Sequence, residues 1–403
     1  MTQAPPAPEA TPPPPPPPSA MDTAAGVGSS LLRSLVMPAL ALVVALVIGA
    51  IIIAFSDVNN VPLLFEDPGA ALSAMAREVV AAYKALFVGA VGSVYAISET
   101  LFAATPLILA SLGVALGFRA GLFNIGAQGQ MLIGAMSAVW VGIYVDLPTP
   151  LHVLLAILAG LIGGMVWGGI AGLLKARTGA HEVITTIMFN FIALYLVQWL
   201  LSIPLFQEAG RNNPVSTAIR PTAQLSPIFG GSYRVTLGFA IALVAVFFVY
   251  WLLYRSSWGF EFRAIGLNPQ AGAYAGMGVA TAVTLAMAIA GGLAGVAGAN
   301  QVMGLAPYKA TTALAGSVGF DAITVALLGR SHPIGVLWAA LLFGALKAGG
   351  RQMQGAAQIP LDLVVVLQAL IVIFVAAPAL VRAIFRMKGV AEKPAQMTKG
   401  WGA

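Results

Sequence analysis

The side chains that could do chemistry in this sequence are amides and a few carboxylates. There is no cysteine, which removes thiolate metal ligands, cysteine nucleophiles and disulfides together. His152, His181 and His332 are not spaced as metal ligands, and they are the only histidines. No nucleophile elbow, zincin helix or phosphate-cradling glycine loop occurs. The sequence therefore predicts no catalytic residue, no metal site and no cofactor, and a chain that cannot use ATP by itself. Glu99, Glu182, Asp321 and Asp362 stand near the ends of apolar stretches. Ion-coupled carriers place such groups near the bilayer midplane, so this placement argues against one. Helix-end capping is the plainer reading for each acid.

Two polar segments interrupt the apolar background. Gly117 to Gln130 carries Asn124, Gln128 and Gln130 among glycines. It reads either as a simple turn or as broken backbone lining a pore, since irregular backbone at membrane depth survives only against protein or water. Asn190 and Gln301 are isolated amides in apolar stretches; they read as path-lining groups or as hydrogen-bonding glue between helices. The second segment runs from Arg255 to Gly276 and includes Arg263 and Gly266. There Asn268 can cap a helix, Pro269 suits its first position and Gly276 can end it. A helix of about two turns is marginal alone in water, so this one, with Tyr274 on its surface, needs something to pack on: its own loops or a partner.

The elements that must hold these groups are apolar. Of 403 residues 59% are hydrophobic and 8% charged, against about 25% charged in ordinary soluble domains. Ten stretches read as membrane spans: Leu35–Phe55, Thr100–Gly117, Gln130–Val145, Leu151–Leu174, Val183–Phe206, Leu237–Leu253, Thr281–Val302, Ser317–Leu328, Ile334–Gly349 and Leu361–Val381. A span takes about 20 apolar residues, so the short Ser317–Leu328 would be tilted, broken or re-entrant. Ala70–Ser93, with Arg77, Glu78 and Lys84, is expected to be an interfacial helix. The fold class is an all-α polytopic bundle. Of the 20 Lys and Arg residues, a modest excess falls on one side of such a threading, which puts both termini in the cytoplasm. No Lys/Arg cluster suggests nucleic acid. Gly160, Gly164, Gly168 and Gly172 form one stripe for close helix packing, and Gly291 and Gly295 repeat the theme. Residues 1–30, with the run Pro12 to Pro18, read as a disordered, polyproline-leaning tail. Residues 31–387 form the membrane domain, and 388–403 a basic tail.

Four stretches, in order, carry a family resemblance: Ile97–Ala135, His181–Ala193, Phe262–Met277 and Gly319–Gly335. Together they resemble permease subunits of bacterial ABC importers of the branched-chain amino acid, ribose and nucleoside type, nearest the nucleoside and simple-sugar branch. The resemblance covers roughly residues 35–387. It implies a type II importer-like bundle in the inner membrane, paired with a second permease chain, identical or related. It further implies a cytoplasmic ATPase and an extracytoplasmic solute-binding protein. Arg263, Gly266, Asn268, Pro269, Tyr274 and Gly276 then belong to the coupling segment. Asn124 to Gln130 looks like the family's pore motif, with Gln128 where the family usually has Glu. The implied cargo is a neutral polar solute, a nucleoside before a simple sugar.

Overall fold

The computed structural model describes residues 36, 39–56 and 60–386. The tails expected at 1–30 and 388–403 lie outside them. Among the described residues the regular elements are helices, and β structure is limited to isolated bridges.

The first helices are α1 (Ala39–Ala54), α2 (Asn60–Glu66) and α3 (Pro68–Val91). Long α4 (Val94–Arg119) follows, then α5 (Ala127–Tyr144), α6 (Thr149–Thr178) and α7 (Glu182–Leu200). A loop reaches α8 (Leu237–Arg255), after which come two short helices, α9 (Ser257–Leu267) and α10 (Pro269–Tyr274). The chain ends with α11 (Val279–Gly304), α12 (Val318–Leu328), α13 (Pro333–Ala357), α14 (Leu361–Ala376) and α15 (Pro378–Ile384). Six of these (α4, α6, α7, α8, α11 and α13) are long and apolar enough to cross a membrane. Residues 39–54, 318–328 and 362–375 form shorter apolar helices.

Two expectations are corrected, and a third element gains its packing. The stretch Ala70–Ser93 falls in α3, which packs along α13, its Leu86 carbonyl pressed against Gly349, while Tyr83 donates to the Leu46 carbonyl of α1. Its buried residues are mostly small (Ala71, Ala82, Ala90), which permits that approach despite the charges on its outer face. Leu361–Val381 is two helices, because Pro378 has no N–H to continue α14 and instead starts α15. The Val183–Phe206 helix stops at Leu200, and residues 201–206 form turns.

The bundle centres on α4, which is buried along nearly its whole length and touches α3, α5, α8, α9, α11, α12 and α13. The glycine stripe makes the tightest contact, between α6 and α11. A Cβ added at Gly164 would meet the Gly291 carbonyl at 2.2 Å, and one at Gly295 would meet the Gly160 carbonyl at 2.2 Å. Backbone therefore rests on backbone, the arrangement small residues make available where lipid gives helices no hydrophobic reason to associate. A second apolar cluster joins α1, α3, α13 and α14. At one end of the bundle the loop after α7 is tied to the segment after α11 by Val215 bridging Thr311 and by the Glu208–Lys309 ion pair. The hydrogen bond from Lys309 holds the Glu208 carboxyl below its ordinary pKa.

Candidate functional site

The amides predicted to carry function divide between a buried knot and its neighbours. Helix α4 ends because Gly121 takes a left-handed φ of 72°. Leu122 N–H then bonds Gly117 O at 2.9 Å and Gly121 N–H bonds Phe118 O at 3.2 Å, a Schellman stop. The irregular stretch is shorter than the sequence suggested: α5 begins at Ala127, so Gln128 and Gln130 lie in its first turn. Asn124 and Gln130, each 1% exposed, exchange amide hydrogen bonds at 3.1 and 3.3 Å. Asn124 Oδ1 also accepts from Gly126 N–H at 2.9 Å. From α7, Asn190 Oδ1 accepts from Gly129 N–H at 2.8 Å while its Nδ2 donates to Ile125 O at 2.9 Å. Thr186 Oγ1 accepts from Ile125 N–H. The structure thus pairs Asn124 with Gln130 and sets Asn190 beside them on the backbone of Ile125 and Gly129, so that together they satisfy the broken backbone. Buried polar groups cost little only when so paired.

Gln128 points elsewhere. Its Nε2 donates to Gly316 O at 2.7 Å and its Oε1 accepts from Gly319 N–H at 3.0 Å. It therefore ties the start of α5 to the start of α12. Gln301, half-buried on α11, does not join the knot.

The segment 255–276 forms two helices where one was expected. Ser256 caps α9, accepting from Gly259 N–H at 3.0 Å. Asn268 is the C-cap of α9 and the N-cap of α10, accepting from Ala271 N–H at 3.1 Å, with Pro269 in the first turn. Gly276 at φ 81° closes α10: Met277 N–H bonds Gly272 O at 3.0 Å. Tyr274 is 94% exposed, so α10 is offered outward. Inward, α9 rests on the end of α4. A Cβ at Gly266 would meet Arg119 O at 2.4 Å and Gly121 N at 2.8 Å. Arg119 reaches past this joint to the turn after α12, donating Nε to Ser331 O at 2.9 Å and Nη2 to Arg330 O at 3.1 Å. Beside it the Arg263 guanidinium lies over Tyr254 at 5.3 Å, and His332 packs on the Tyr250 and Tyr254 rings. Burial, then the nearby Arg119 charge, pushes the His332 imidazole below its ordinary pKa. The outward helix is thereby coupled, backbone to backbone, to the break between α4 and α5.

Two ionic groups were not anticipated. Lys347, within the expected span Ile334–Gly349, lies near the middle of α13 and pairs with Asp321 of α12 at 2.6 Å; Ser317 Oγ donates to the same carboxylate oxygen at 2.8 Å. One turn along α13, Arg351 pairs with Glu99 of α4 at 3.1 Å, and Arg234 reaches the same Glu99 oxygen at 3.1 Å. The spacing of Lys347 and Arg351, one helical turn apart in an otherwise apolar pattern, was the signal available in the sequence. Among the described residues no group of His, Asp and Glu is arranged to hold a metal ion.

Residues 96–376 match the family described as "Branched-chain amino acid transport system / permease component". The chain belongs to this permease family. The guanosine ABC transporter permease NupP of Bacillus subtilis is 36% identical over 87% of this chain and 95% of its own length. The nucleoside ABC transporter permease NupB of Lactococcus lactis is 32% identical over 92% of this chain and 98% of its own. A glucose ABC transporter permease of Haloferax volcanii is 35% identical over 76% and 82% respectively. No solved structure matches. The permease is a multi-pass membrane protein with an all-helical bundle.

Proposed function

We propose that this permease is the membrane-spanning subunit of an ATP-driven uptake system and forms the passage for a neutral polar solute, a nucleoside before a simple sugar. The observation that carries the reading is the match over nearly the full length of both chains to permeases named for guanosine and nucleosides. The glucose permease among the relatives supports the sugar alternative. The permease sits in the bacterial inner membrane with both termini cytoplasmic, next to a second permease chain. An extracytoplasmic binding protein delivers the solute.

The exposed α10 supports docking of a cytoplasmic ATPase, with Tyr274 as its most projecting contact. ATP binding closes the ATPase pair and moves α10. Asn268, shared by α9 and α10, leaves no slack between them, and Gly266 presses on the α4–α5 break. Motion at the surface therefore reaches α5 through rigid elements, the kind of hinge and shear step that alternating access uses. The solute path itself runs past the first turn of α5, where Gln128 stands.

The test is reconstitution in liposomes with the ATPase and binding protein encoded beside the gene, followed by uptake of labelled guanosine, uridine, ribose and glucose. Nucleoside uptake that stops when the ATPase is inactivated is expected. Sugar uptake alone moves the cargo to the alternative. Uptake that survives ATPase inactivation and collapses with an uncoupler overturns the ATP-driven reading in favour of an ion-coupled carrier.

A further inference from the structure

The two unanticipated ionic groups share one strip of the bundle. A cavity of about 350 Å³ opens between α3, α4, α13 and the segment before α8, lined by Glu99, Arg234, Arg351 and Gln352. That is the size of small-molecule sites, which run from about 300 Å³ upward. Glu99 is more than nine-tenths buried. Both arginines take its Oε2, and its Oε1 has no hydrogen-bond partner. Arg234 is held in place by the Phe102 ring, 4.5 Å below its guanidinium. One turn further along α13 stands the Lys347–Asp321 pair, then Ser317, and beyond it Gln128 bonded to Gly316 and Gly319.

Ser317 is exposed and Asp321, Lys347 and Gln128 are partly so, although α13 is a spanning helix. A charge facing lipid at the centre of a helix costs about 2.5–3.5 kcal/mol even on the mildest scale. Lipid is therefore not what covers this strip. Water or solute is.

The geometry points to a polar track, from the Glu99 cavity along Lys347 and Asp321 to Gln128, as the route and selectivity surface of the cargo. Lys347 is opposed by Asp321, and Arg234 and Arg351 share the one carboxylate of Glu99, so the track offers both carboxylate and cationic groups to a solute. A neutral solute needs only to present hydrogen-bond donors to carboxylate oxygen and acceptors to guanidinium and ammonium. A nucleobase edge or a sugar hydroxyl pair does both. This inference rests on the permease reading and adds the face and the groups that contact the cargo.

The absence of native cysteine makes the test direct. Ser317→Cys and Gln352→Cys are introduced singly in the assembled transporter, with Phe247→Cys, 71% exposed on α8, as the lipid-facing reference. A membrane-impermeant methanethiosulfonate is applied with and without the solute taken up. Both track cysteines are expected to label at least tenfold faster than Phe247→Cys, and the solute is expected to slow them. Lys347→Met and Glu99→Gln are expected to raise the KM of uptake more than tenfold with the binding protein's affinity unchanged. Labelling as slow as the reference in a transporter that still takes up solute overturns the track and leaves the permease reading standing. Fast labelling that solute does not slow overturns the assignment of the track to cargo. Loss of uptake by the parent chain, under any label, counts against the permease reading instead.

Discussion

Gly266→Ala tests whether α9 transmits motion to the α4–α5 break. The new Cβ would lie 2.4 Å from Arg119 O, 2.8 Å from the Ala120 carbonyl carbon and 2.8 Å from Gly121 N. All three are backbone, and Gly121 is pinned by its left-handed stop, so the groups that must yield are those least able to. Restoring ordinary contact at about 3.4 Å requires α9 to lift by roughly 1 Å, and overpacking of this kind costs about 1–3 kcal/mol. If the whole cost falls on the docked state, ATPase affinity weakens by about 5- to 150-fold, since 1.4 kcal/mol is tenfold. If it falls on the fold, thermal stability drops and docking is spared. The assay is titration of the ATPase onto the permease in nanodiscs, beside a thermal melt and uptake in proteoliposomes. Gly276→Ala is the comparison: no atom lies within 4 Å of its Cβ, and only the positive φ opposes it, for about 1–2 kcal/mol. Docking within twofold of the parent and an unchanged melt for Gly266→Ala would refute the joint.

Asn268→Ala removes the cap bond to Ala271 N–H at 3.1 Å and should cost about 1 kcal/mol of α10; ATPase docking weakens severalfold, and Asn268→Asp restores it. Gly291→Leu drives its Cβ to 2.2 Å from Gly164 O; monodisperse protein should be lost on size exclusion, whereas Gly355→Ala, with open space around it, should behave as the parent. Because the folded His332 pKa lies below 6.5, the unfolded chain binds the proton more readily, and the stability from neutral His332 is present above pH 6.5 and lost as pH falls through that window. The thermal midpoint should therefore drop between pH 7.5 and 5.5, and His332→Phe, which keeps the stacking on Tyr250 and Tyr254, should flatten the drop; an unchanged slope would remove His332 from the account.

What could be read in the sequence was local. Asn268, Pro269 and Gly276 mark the bounds of α10 because cap, first turn and stop lie within nine residues of one another and need no tertiary contact. The glycine stripe is legible for the same reason: its period is that of one helix. The amide knot was visible only as separate polar residues, because its pairing joins Asn124 to Gln130 of α5 and Asn190 to the backbone of Gly129 and Ile125 across more than 60 positions. Gln130 read as path-lining from its type alone, and its bonds to Asn124 could not be read from spacing. The Lys347–Asp321 pair was missed because Asp321 read as a helix-end cap and its partner lies 26 positions away on another helix. The extra helix α9 was hidden in a segment whose strongest punctuation belonged to its neighbour.

The near-total burial of α4 has a consequence for how the protein is made. Most of the helices that enclose it (α5, α8, α9, α11, α12 and α13) are encoded after it. As the chain is made, α4 therefore enters the bilayer with α3 as the one final neighbour already present, and with lipid on faces that are covered by protein in the finished bundle. That interval explains an all-round apolar surface on a helix whose final neighbours are all protein, and it explains why Thr105 bonds back to Leu101 O within its own helix. The sequence of α4 answers to two solvents in succession, and the earlier one is invisible in the finished bundle.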